Sequence, residues 1–161
     1  MINSVKSTLA ALALVLTLAT PGFLAQANAE TASDGVVTVK SGYSVAETVS
    51  RIKKDVADKG ITLFGVIDQA KLGNAAGNIV RPSRLIMFGN PALGTTFITA
   101  NPKAGLDWPV RVVVYQTADG SVYAAYTDFD YIARRHGIES RTKEFKMATE
   151  VIQSVTSSIE K

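Results

Sequence analysis

The sequence predicts an α+β domain: a mostly antiparallel sheet in the order β-α-β(4)-α, with short helical insertions and two main helices on one face. Two amphipathic helical patterns bracket the chain, one opening at Ser44 and one running from Phe145 to Ile159. Between them lie strand-like apolar segments. The last two, Val110 to Tyr115 and Ser121 to Tyr126, are joined through Ala118-Asp119-Gly120. That junction is a hairpin signal, and a hairpin excludes a purely parallel sheet.

Each element has its own local reason. Val36 to Lys40 (VVTVK) has strand composition. Ser44 and Glu47 form a capping box, and Val45, Val49, Ile52 and Val56 make one apolar stripe of the helix that follows. Gly60 is placed to end that helix in a left-handed turn. Ile61 to Asp68 (ITLFGVID) reads as the second strand. Gln69 to Asn78, rich in glycine and small residues, allows a short helix with a frayed end. Arg84 to Phe88 is the third strand. It runs into the corner Gly89-Asn90-Pro91, where Pro91 suits the first turn of a helix because its missing amide has no intrahelical partner to lose. Thr127 to His136 reads as a short helix closed by Gly137, and Phe145, Ala148, Val151, Ile152, Val155 and Ile159 mark the long C-terminal helix.

The N-terminal segment reads as a cleaved signal peptide spanning residues 1–29. Lys6 supplies a short charged region, Leu9 to Leu18 an apolar run, and Ala27-Asn28-Ala29 the small residues a signal peptidase accepts. The run is shorter than the roughly 20 residues that cross a bilayer. The expected location is therefore periplasmic or secreted, with no membrane span after cleavage. Residues 30–161 are then one domain, preceded by a polar leader at 30–35 expected to be mobile. Loss of Lys6 lowers the formal charge from +3 to +2, too little and too dispersed to argue for nucleic acid or a membrane surface. With no cysteine and one histidine, there is no disulfide and no soft-ligand metal cluster to expect. No metal and no cofactor is expected.

The stretch FGNPALGT (Phe88 to Thr95), preceded by Arg81-Pro82-Ser83 and followed by LDWPVRVVVYQTADGSVYAAYTD (Leu106 to Asp128), resembles the bacterial and archaeal domain-of-unknown-function family number 302. The resemblance covers Val36 to about Ile159 and implies that family's β-α-β(4)-α topology, of the kind grouped with the TATA-binding-protein fold. It implies no DNA binding and no activity. Two departures stand out. Gln69 follows Asp68 where many members carry histidine, and Trp108-Pro109 stands for the family's Leu-Pro.

Candidate sites follow from residue chemistry. The corner offers a Gly-Asn pair that tolerates positive φ and amides at a helix start, which can bind an anion or be capped by Asn90 itself. It lacks the lysine of a Walker loop and the spacing of a dinucleotide fingerprint. Arg111, Val113 and Tyr115 share one face of their strand and Val110, Val112 and Val114 the other, so both faces are apolar enough to be covered. These features group into a ligand site of Asp68, Gln69, Phe88, Gly89, Asn90, Thr95, Tyr115 and Tyr126. His136 reads either as a base oriented by Asp128, Asp130 or Glu139, or as a cation on the last turn of its helix. The expected role is non-catalytic binding of a small ligand or protein partner. The alternatives are a homodimeric envelope module and an enzyme using Asp68, Asn90 or His136.

Overall fold

The computed structural model describes residues 30–31 and 34–160; the expected signal segment lies outside them. Six strands form one antiparallel sheet: β1 (Glu30–Thr31), β2 (Val36–Ser41), β3 (Thr62–Asp68), β4 (Ser83–Gly89), β5 (Val110–Gln116) and β6 (Val122–Thr127). Their spatial order is β1-β2-β6-β5-β4-β3. The helices are α1 (Val45–Asp58), α2 (Gln69–Ala75), α3 (Pro91–Ala100), α4 (Phe129–His136) and α5 (Thr142–Thr156), with 3-10 turns at Pro102–Leu106 and Ser157–Ile159. The α+β architecture read from the sequence is the one observed. β1 is an addition: two residues of the polar leader pair with Val37 and Thr38.

Pairing explains where the core sits. Residues directly opposite one another share a face. Val37 faces Tyr126, Tyr126 faces Val112, and Val112 faces Ile86, so one row of apolar side chains crosses four strands. Helix α1 buries Val45, Val49, Ile52 and Val56 against that face, and α5 buries Phe145, Ala148, Ile152 and Val155 in the same core. At the start of α1 the Ser44 hydroxyl accepts from the Glu47 amide at 3.3 Å. The reciprocal half of the capping box is replaced, because the Glu47 carboxylate lies 3.1 Å from Arg51 Nε instead. Gly60 closes the helix at φ +63°, as its position requires.

The second face is also apolar. Val113, Tyr115 and Tyr123 are half-buried there, and the Tyr115 and Tyr123 rings stack at 5.9 Å. Edge strand β3 carries Leu63, Phe64, Val66 and Ile67, each at least 36% exposed. The register shifts between Leu63 and Gly65, so Phe64 is an extra residue in the ladder. A bulge of this kind bends an edge that would otherwise template pairing with another chain.

Candidate functional site

The corner after β4 is set by Asn90. Its Oδ1 accepts from the amides of Ala92 at 2.9 Å and Leu93 at 3.3 Å, and Pro91 occupies the first helical position of α3. Anion binding by the helix amides, as read from the sequence, is thereby closed, since the side chain takes two of the amides an anion would use. The corner also needs no left-handed residue: Asn90 has φ −96°, and neither Gly89 nor Gly94 is among the positive-φ glycines. The glycines serve another purpose. A Cβ on Gly94 would sit 1.8 Å from Trp108 Nε1, and one on Gly89 would sit 2.9 Å from the same atom. Both are small so that the indole can lie against the backbone.

Around this indole the chain builds an apolar cavity of about 220 Å³. Buried Phe88, Phe97, Phe129 and Ile152 form its inner wall. Phe97 is itself fixed by stacking on Phe145 at 4.3 Å. Leu93, Gly94 and Phe97 lie on one side of α3, at spacings that bring them onto a common face. Met147 and Val151 of α5 close the opposite side, and Met147 is 53% exposed at the rim. Lys59, just beyond α1, and Asn90 are the other exposed rim residues. Phe64 meets the indole edge-on at 5.5 Å, so Trp108 is held from both sides.

The residues grouped from the sequence do not form one site. Phe88, Gly89 and Asn90 line the cavity. Thr95 points away and bonds back to the Pro91 carbonyl at 2.7 Å. Asp68 lies at the other end of the β3–β4 ladder, opposite Arg84, whereas Gly89 is opposite Thr62. There Asp68 caps α2 by accepting from the Lys71 amide at 2.9 Å and faces Arg84 Nε at 3.4 Å. It lines a wider, polar depression of about 520 Å³ with Ser44, Lys71, Asn74 and Gln116. Beside it Gln69 accepts from the Ser83 hydroxyl at 2.7 Å. Tyr115 stands on the second sheet face, and Tyr126 is in the core, where burial pushes its phenol above the ordinary value and the Thr156 hydroxyl offsets part of that rise. The physical reason for the split is antiparallel geometry: strand ends adjacent in one's reading of the chain alternate between opposite edges of the domain.

His136 does close α4 before Gly137 at φ +59°, but it is a buried residue, not a surface cation. Its Nε2 lies 2.6 Å from Asp107 Oδ2. Asp107 Oδ1 receives Arg111 Nη2 and Arg135 Nη1, each at 3.3 Å. The orienting acid is thus Asp107, and Asp128 is instead the N-cap of α4, accepting from the Tyr131 amide at 2.8 Å. Asp68, Asn90 and His136 are each committed to different partners and share no cleft. Among the described residues no group of three or more His, Cys, Asp or Glu is placed to hold a metal ion.

Sequence reasoning missed Trp108, Phe97, Met147 and Lys59 as cavity residues. A signal was present: Met147 extends the α5 stripe one position beyond what a sheet-facing helix needs, and Leu93 and Phe97 repeat at i, i+4.

Three comparisons bear on this geometry. A family model described as "Domain of unknown function DUF302" matches residues 37–161. A solved structure titled as an uncharacterized conserved DUF302 protein from Bacillus stearothermophilus superposes with a TM-score of 0.71 at 14% identity, over 78% of this chain and 98% of that one. At that identity it shows the fold alone. Among curated proteins, "Fluoride-specific ion channel FluC 1" of Brucella suis biovar 1 is 35% identical over 104 residues, 65% of this chain and 41% of its own length. The protein of that name from Brucella abortus biovar 1 is also 35% identical over 104 residues, 65% of this chain and 38% of its own length. The chain thus spans about two-fifths of the curated relatives it matches. No helix among the described residues is long and apolar enough to cross a membrane.

Proposed function

Because this chain belongs to the family described as domain of unknown function DUF302, whose description assigns no activity, we propose from the site itself that the domain binds a small apolar molecule without transforming it. The observation that carries this reading is the cavity of about 220 Å³ walled by Trp108, Phe88, Phe97 and Ile152. An apolar cavity near 150 Å³ already admits benzene, so this one accepts on the order of ten non-hydrogen atoms. A ligand of that size binds with a Kd on the order of 10–1000 µM. Catalysis is disfavoured because the acid–base candidates Asp68, Asn90 and His136 are each held by different partners, and neither Asp68 nor His136 lines the cavity. The signal-like N-terminus supports a periplasmic or secreted location for this binding role.

The test uses the single tryptophan, which lines the cavity. Small aromatic probes are titrated while its emission is followed, and native mass spectrometry of the purified protein reports any retained ligand. A saturable change supports the reading; a flat response across the panel, with a bare mass, sinks it.

A second reading is a homodimer packed through the other sheet face, favoured by the half-buried Val113, Tyr115 and Tyr123. Sedimentation at high concentration separates the two, since a strict monomer contradicts it. The names of the curated relatives add fluoride as a control anion in the same titration.

A further inference from the structure

We infer that the ligand of this cavity is a compact monoanion, an apolar body carrying one carboxylate-like head at the rim; the inference rests on the cavity being a binding site. The basis is the sign of every polar side chain around it. No aspartate or glutamate lines the cavity. The three polar side chains that do line it, Lys59, Asn90 and Trp108, present donors. Asn90 has its oxygen committed to two backbone amides of α3, which fixes the amide nitrogen as the outward group. The Trp108 N–H and the Lys59 ammonium have no hydrogen-bond or ion-pair partner among the described residues.

The acids nearest Lys59 in sequence do not neutralise it. Asp58 lies 2.5 Å from Lys54 Nζ, and Asp55 takes the Ser158 hydroxyl. On α5, which supplies the rim residues Met147 and Val151, Lys146 and Glu150 balance each other in charge. A cation entering here meets no carboxylate among the lining side chains. A carboxylate meets a free ammonium and an amide donor at the mouth while its apolar body fills the interior, where burial supplies the affinity.

Three probes of matched size separate the outcomes: 3-phenylpropionate, its neutral amide 3-phenylpropanamide, and the cation 3-phenylpropylamine. Titration calorimetry on the whole protein is expected to give the carboxylate a Kd at least about tenfold below that of the amide, with the amine weaker still. Lys59→Met is expected to bring carboxylate and amide within about threefold of each other, and Lys59→Arg to restore the preference. Lys59 is exposed, so neither variant threatens folding. Equal binding of amide and carboxylate, or a preference that survives Lys59→Met, overturns the anion assignment and leaves the cavity reading standing. Failure of all three probes to bind overturns both.

Discussion

Gly94 and Trp108 are complementary: the indole nitrogen occupies the space a side chain at residue 94 would need, with only 1.8 Å between Nε1 and an added Cβ. Phe64 stands edge-on against the same ring at 5.5 Å, so the indole has little room to retreat. The glycine sits within α3, where alanine alone would gain about 1 kcal/mol. Gly94→Ala is therefore expected to destabilise the domain by about 1–3 kcal/mol in spite of that gain, because a rigid ring must move. Urea unfolding measures it. The double variant Gly94→Ala/Trp108→Leu should recover most of the loss; a stabilised single variant would mean that the indole lies elsewhere.

Asn90 holds the corner by a cap. Asn90→Ala is expected to cost about 1 kcal/mol, and Asn90→Asp to retain most of the stability because its carboxylate can accept from the same two amides. Thermal unfolding of the three proteins distinguishes this from a ligand-only role, in which the unliganded proteins would melt alike.

The buried Asp107 gathers His136, Arg111 and Arg135 from two other elements. Asp107→Ala removes the common acceptor and leaves the buried imidazole and both guanidiniums without it. Expected destabilisation is about 1–3 kcal/mol, read by urea unfolding, because only the imidazole is left buried while both arginines are half-exposed. If the variant loses less than about 1 kcal/mol, the cluster is not a structural tie.

Asp119 closes the β5–β6 hairpin. Hydrogen bonds from Thr117 and Ser121 lower its carboxyl pKa to about 2. A depressed pKa contributes stability that is present above the ordinary aspartate range and is lost as pH falls through the folded value. The Ser121 amide resonance should therefore titrate near pH 2. Thr117→Val should move that midpoint up toward the ordinary value; an unchanged midpoint would remove Thr117 as the main cause.

Much of the architecture was legible because local chemistry and tertiary demand agree. Ser44 and Asn90 are good cap residues at the starts of helices, and each caps its helix. Gly60 and Gly137 fall where helices end left-handed, and both have positive φ. The site was less legible, because it depends on which strand ends meet. Asp68 and Gly89 both flank short helices in the sequence, yet antiparallel pairing sends them to opposite ends of the β3–β4 ladder. Residues 107 and 136 show no periodic relation, so their pairing is visible only in three dimensions. Gly89 looked like backbone freedom and, together with Gly94, turned out to be space for the Trp108 indole.

The most direct measurement is a titration of 3-phenylpropionate against Trp108 emission, run beside the variant Ala148→Phe, which places a ring in the cavity wall. Binding in the cavity predicts a saturable one-to-one change in the unmodified protein and no change in a folded Ala148→Phe protein. An unresponsive Trp108 up to about 10 mM probe, or the same saturable change with the cavity filled, contradicts it.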